Sequence, residues 1–303
     1  MLVVFACLLG MGAATPSFGV DEEPSWREEI EVFRLGFVVR EDAEDRELKR
    51  REAFRQYLED QLRLPVRLIA HQDYGSLINA HTSKQLEYAI YSSSAYVISQ
   101  GLCDCLDPLA TSADGEQIGY YSVLFSRSER DDLKTIEDLD QKRVLLGRTK
   151  SIAGDLIPRF AFDHVGIKPN WSHQERGMVA ALSQLGDPDV DAVAAWSSLT
   201  GDATTGYSRG TLTRLTLDER ISPDDVKILW RSRLIPFGPH AVHTDLPELL
   251  KLELLDSLLS IPEQDLDLME AAATPRSGPF RAIRPEAYAQ LLDALKLSTS
   301  DNE

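Results

Sequence analysis

The chain is 303 residues long, with 43% hydrophobic and 27% charged side chains, the balance of a water-soluble globular protein with room for two lobes. Its 49 acidic residues outweigh 32 basic ones, a net charge of -17, which argues against nucleic acid or an anionic membrane surface as partner. Any anion must therefore be held by local geometry, because the long-range field opposes it over a Debye length of about 8 Å.

Residues 2–14 are apolar and small, and Pro16 breaks the run. They read as a signal peptide spanning residues 1–19, since a stable bilayer span needs about 20 residues. Residues 21–31 are expected to form a loose acidic leader, with structure starting at Val32. Residues 32–39 predict a first strand and residues 46–62 an amphipathic helix. A second strand over 65–69, a short helix over 74–80 opened by Asp73, and a third strand over 86–91 follow. Ser92, Ser93 and Ser94 come next, before a helix over 95–100.

Further on, residues 119–126 predict a strand and 133–139 a short helix. Helical spacing returns over 178–185, a buried strand is expected over 190–196, and 197–213 is polar and rich in Thr and Gly. Residues 226–230 predict a strand, after which Pro236 and Pro239 should end regular structure. Amphipathic helices are expected over 246–259 and 285–295, and residues 298–303 should be a disordered tail. Alternating strands and helices make this an α/β chain.

The chemistry concentrates in VLLGRTKSIAGDLIPRFAF, residues 144–162. A short apolar strand there meets a loop with two cations and two hydroxyls, and a helix pattern begins at Ile152. A helix start offers about four unpaired N–H donors and a partial positive charge, which favour a bound phosphate or carboxylate. Thr149 and Ser151 would add hydroxyls, and Lys150 a full charge. The plainer alternative is an ordinary helix capped by Ser151 or Thr149. Tyr91 and its serines repeat the same strand, hydroxyl loop, helix order, and both loops would lie at strand carboxyl ends.

Cys103 and Cys105 form a C-x-C pair that reads as loop thiols or a strained disulfide, without the further ligands a metal site needs. No G-x-S-x-G elbow, H-E-x-x-H helix or Walker-type glycine loop occurs, so a non-enzyme without cofactor is expected.

Several landmarks fall in a recognisable order. They include Gly36-Phe37-Val38, Asp73-Tyr74, Gly119-Tyr120-Tyr121-Ser122, the stretch Gly154 to Pro158, Val190-Asp191-Ala192, Lys227-Ile228-Leu229-Trp230, Ile235-Pro236 and Ser277-Gly278-Pro279-Phe280. With them the chain resembles the periplasmic phosphonate-binding subunit family of ABC importers. The resemblance implies a type II periplasmic binding protein fold, two α/β lobes joined by a hinge with the ligand cleft between them. Lobe 1 would comprise residues 32–120 and 235–297, and lobe 2 residues 121–234. It further implies a monomeric receptor in the periplasm that closes on a small phosphorus oxyanion and presents it to permease subunits. Ligand contacts would come from Tyr74, Tyr91, Ser93, Ser94, Thr149, Lys150 and Ser151.

The departures narrow the ligand. Ile152 and Ala153 stand where the family's cradle is polar, a family histidine before the strand at Val190 has no aligned counterpart, and Ser198 and Gly238 stand where carboxylates would pair with a ligand amine. An aminoalkylphosphonate is therefore disfavoured, for its ammonium would lack a charge-assisted bond of roughly 1.5–3 kcal/mol. The altered cradle also suits an alternative, a periplasmic sensor or adaptor of the same fold that signals to a membrane partner.

Overall fold

The computed structural model describes residues 26–39, 44–263, 265–273 and 278–300. The expected signal peptide and Ser277 lie outside these. β1 (Phe33–Val38) pairs in parallel with β2 (Val66–His71) and β3 (Tyr88–Ile90), as strands joined by helical crossovers must. β11 (Pro239–His243) runs antiparallel between β3 and β4 (Leu106–Ser112), and β12 (Phe280–Ala282) closes the edge beside β4. One face of this sheet is covered by α1 (Glu44–Leu62), α7 (Glu248–Leu259) and α8 (Leu266–Ala272). The other carries α2 (Tyr74–Thr82), α3 (Ser93–Cys103) and α9 (Ala289–Ser300).

The second sheet has the order β10 (Ile235–Pro236), β5 (Gly119–Arg127), β8 (Ala192–Ser197), β6 (Arg143–Leu146), β7 (Asn170–His173), with β9 (Val226–Arg231) also on β5. Strand alternation splits its core. Val123, Phe125, Leu145, Val193 and Ala195 face α5 (Met178–Leu182) and α6 (Thr211–Leu217), whereas Leu124, Val144, Leu146, Ala192 and Ala194 face α4 (Ile157–Val165).

The chain passes between the sheets twice, side by side. Gly119 and Tyr120 pair with Pro236 and Ile235, so these four residues, expected in lobe 1, bond to one another at the edge of the second sheet. Ser93 Oγ donates to the Pro236 carbonyl at 2.6 Å and ties the first lobe to this crossover.

Several expectations need correcting. The described part of the expected leader, from Trp26, is anchored: Trp26 is buried, and its indole N–H donates to Glu253. Pro236 ends β10 as expected, but Pro239 does not end regular structure. Pro239 opens β11, where a missing N–H is tolerated, and its carbonyl accepts from Tyr91 N–H. β4 went unread because Pro108 interrupts it, yet that proline sits where the β4–β11 register shifts. Helix α9 runs to Ser300, into the stretch expected to be a tail. Cys103 and Cys105 are joined as a disulfide, with Asp104 between them in the left-handed region.

One glycine shapes the corner between the sheets. A Cβ on Gly238 would lie 1.9 Å from the Tyr91 carbonyl oxygen and 2.7 Å from Ser92 Cα, both backbone atoms that cannot swing aside. Gly238→Ala should cost about 1–3 kcal/mol, as overpacking does. A lower urea midpoint at unchanged slope would show it, and an unchanged midpoint would refute the close approach.

Candidate functional site

Two helix starts face one cleft of about 560 Å³, lined by Tyr74, Ser92, Ser94, Lys150, Ser151 and Trp196 among others. The first start follows β3. Ser92 caps α3, its Oγ accepting from Ala95 N–H at 3.2 Å, and the first helical bond runs from Tyr96 to Ser92. Ser93 and Ser94 N–H thus precede the hydrogen-bond ladder, as helix-start donors do.

The second start follows β6 and is built differently from the regular helix the sequence suggests. Residues 152–156 make one wide turn, with Leu156 N–H bonding five residues back to Ser151, before α4 begins. Pro158 has no N–H to give Gly154 O, so that carbonyl instead accepts from Gly147 N–H at 2.7 Å. Both glycines are needed, because a Cβ on Gly147 would stand 3.2 Å from Gly154 Cα, and one on Gly154 3.1 Å from Gly147 Cα. Ser151 caps the turn, accepting from Gly154 N–H at 3.3 Å. This leaves Ile152 and Ala153 N–H ahead of the ladder. Ser122 Oγ, fully buried on β5, donates to Ala153 O at 2.6 Å and fixes the turn from beneath.

Behind the turn lies Asp155, fully buried. Its Oδ2 accepts from Lys150 N–H at 2.7 Å, its Oδ1 lies 2.9 Å from His173 Nε2, and the Arg159 guanidinium is 3.9 Å away. Lys150 itself has φ +64°, a left-handed conformation that costs a side-chain-bearing residue about 1–2 kcal/mol and that the bond to Asp155 holds in place. Among the residues lining the cleft, Lys150 carries the one ionised side chain, and that ammonium makes no ion pair among the described residues.

The remaining walls are apolar. Tyr120 stacks on Phe237 with centroids 6.0 Å apart and meets Trp196 edge-on at 5.9 Å, and Met178 and Ile152 continue the wall.

The expected site residues separate into groups. Tyr74, at the first position of α2, lines the cleft with Ser94, Lys150 and Ser151. Ser93 lines it too, but spends its hydroxyl on Pro236. Tyr91 borders the cleft while its hydroxyl turns into the lobe interior, 3.0 Å from His81 Nδ1 and 3.2 Å from Ser99 Oγ, which leaves it no ligand-donor role in this conformation. Thr149 does not line the cleft. Its Oγ1 donates to Glu175 at 2.6 Å and holds that carboxyl below its ordinary range. Sequence reasoning missed Asp155, whose one signal was an acidic residue on the apolar face of the 152–162 pattern. It took Tyr120 as hinge packing and Trp196 as a core or cleft-wall aromatic, and did not select Phe237 or Met178.

A larger cavity, about 910 Å³, opens beside Asp114, Glu116 and Ser198. Its wall carries Arg231 as well as the two carboxylates, and contacts across it join the lobes: Arg209 to Asp114 at 2.5 Å and Gln117 Nε2 to Ser198 O at 2.5 Å.

Two α/β lobes that share a double crossover and meet at a cleft lined by helix starts have the architecture of a hinged, two-lobed protein. A family model described as the periplasmic substrate-binding protein of phosphonate ABC transporters matches residues 36–288, and the chain belongs to that family. The phosphate-import protein PhnD of Mycolicibacterium smegmatis is 24% identical over 217 residues, 70% of this chain and 65% of that protein; the match thus spans just under two thirds of the relative's length. Among solved structures, XAC2383 from Xanthomonas citri, bound to ATP, superposes with a TM-score of 0.59 at 14% identity, over 90% of this chain and 99% of that one. PhnD1 from Prochlorococcus marinus, in complex with methylphosphonate, gives 0.50 at 16% identity, over 88% and 98%. The architecture is the type II periplasmic binding protein fold.

Proposed function

We propose that this chain is the periplasmic receptor of an ABC importer, that it closes its lobes on a small phosphorus oxyanion such as phosphate, phosphite or a simple alkylphosphonate, and that it releases the ligand unchanged to permease subunits. The observation that carries this is the pair of helix starts facing one cleft, from Ser93–Ser94 and Ile152–Ala153, with the Lys150 ammonium beside them. Micromolar affinity needs about -8 kcal/mol. At roughly 1.5–3 kcal/mol per charged hydrogen bond, partly cancelled by ordering costs, four or more donors must converge. Four helix-start N–H groups, the Ser94 and Ser151 hydroxyls and Lys150 meet that need without Tyr91 or Thr149. Among the described residues no carboxylate lines the cleft, so a ligand amine finds no ionic partner among them.

Thermal unfolding tests the reading. At 100 times its dissociation constant a ligand should add about 2.7 kcal/mol of stability, so phosphate, phosphite or methylphosphonate should raise the midpoint clearly. Ser151→Ala should shrink that shift by weakening binding about tenfold. If none of these anions stabilises the protein at millimolar concentration, the oxyanion reading is wrong.

A further inference from the structure

Beside the cleft runs a second, smaller groove of about 350 Å³, bounded by α3, α4 and α9. Its walls are Val97 and Ile98 from α3, Ile152 and Leu156 from the cradle turn, and Leu291 and Ala294 from α9. Ile98 is 39% exposed there, the kind of uncovered apolar side chain that marks a binding surface when several adjoin. Cleft and groove share Ser94, Lys150 and Ile152. Those three residues form the sill between an anion-binding end and an apolar end.

The sill is itself partly apolar, because Ile152 lines both cavities. Such a residue adds nothing to a bare oxyanion, but it gives apolar cover to a substituent leaving the anion toward the groove. Arg159 and Asp155 also line the groove, and they lie 3.9 Å from one another, so the charges they bring to it oppose each other and favour no second anion there. Placement between α9 and α4, the two lobes' own helices, favours a ligand enclosed by the lobes over a partner docked outside them. We propose that the groove receives the alkyl chain of an amphiphilic phosphorus oxyanion, an alkylphosphonate or alkyl phosphate whose head group sits at the two helix starts. This rests on the oxyanion reading above and names its substrate class.

Titration calorimetry with methyl-, butyl- and octylphosphonate, each below its micelle concentration, tests it. A fully buried methylene tightens binding about fourfold, the equivalent of ~0.8 kcal/mol. The groove is partly open, so octylphosphonate should bind at least tenfold tighter than methylphosphonate. Ile98→Asp, on an exposed position that folding tolerates, should abolish this gain and leave methylphosphonate affinity within twofold. Equal affinities for methyl and octyl compounds in the native protein would overturn the groove assignment alone, as would a chain-length gain that survives Ile98→Asp. Failure of all three phosphonates and of phosphate to bind would overturn the oxyanion reading together with it.

Discussion

Acidification from pH 7 to pH 4 should destabilise the first lobe steeply, by about 2.7 kcal/mol per pH unit through the middle of that range. The cause is a pair of buried histidines. Burial pulls both His81 and His240 down from 6.5 to about 3. His81 lies between Tyr91, its ring stacked at 5.7 Å, and His243 edge-on at 6.4 Å; His240 bonds the Tyr88 hydroxyl and packs on Phe54 and Phe280. In the unfolded chain each binds a proton below its ordinary pKa of about 6.5, and in the folded chain neither does so until about pH 3. The folded pKa values are depressed, so the stabilisation is complete above pH 6.5 and is lost progressively as the pH falls toward 3. Each histidine contributes a slope of about 1.4 kcal/mol per unit. His81→Asn keeps a polar atom near Nδ1 for Tyr91 and removes one titration, so the slope should fall by about half. Urea midpoints measured from pH 7 to pH 4 decide this, and an unchanged slope in the variant would exclude His81 as a source.

How much of this was legible in the sequence follows from which forces act locally. Strands and helices with clear period, such as β1, α1 and β9, are set by patterns within about ten residues, and the structure places them within a few residues of the expected bounds. Asp73 was read as the cap of α2 and is one, accepting from Ser76 N–H at 2.7 Å. Elements whose stability comes from distant partners were not readable. β4 tolerates Pro108 only because β11 shifts register opposite it, and β12 is three residues long and exists by pairing with β4. In the cleft, the sequence placed hydroxyls near the ligand but not where they point. Tyr91 is claimed by His81, ten residues earlier, and Thr149 by Glu175, twenty-six residues later. The wide turn at residues 152–156 is the reverse case. Pro158 stood in view, and its missing N–H, taken with Gly154 and Gly147, accounts for the turn once the strand and helix are side by side.

Asp155→Ala should cost about 1–3 kcal/mol of stability, the loss expected when hydrogen-bond partners are left unsatisfied, and should weaken oxyanion binding about a hundredfold. The stability term follows from what is left behind: a Lys150 N–H without its acceptor, and His173 and Arg159 without their carboxylate. The binding term follows from the backbone. Lys150 is held at φ +64° against a preference of about 1–2 kcal/mol, and without Oδ2 the 148–151 loop relaxes, carrying both the ammonium and the first N–H groups off their aim. An opposing effect must be weighed. Asp155 is an anion behind an anion site, and at about 8 Å with an effective dielectric near 20 its repulsion is roughly 2 kcal/mol. The Arg159 guanidinium, 3.9 Å from the carboxylate, offsets part of that charge, so the loss of organisation outweighs the relief of repulsion. Asp155→Asn separates the two effects, since it keeps an acceptor for Lys150 N–H and removes the charge; it should bind more tightly than the alanine variant and lose less stability. Calorimetry with phosphate or methylphosphonate and urea unfolding on both variants provide the measurement. An alanine variant that binds as tightly as the native protein would show that the carboxylate positions nothing the ligand uses.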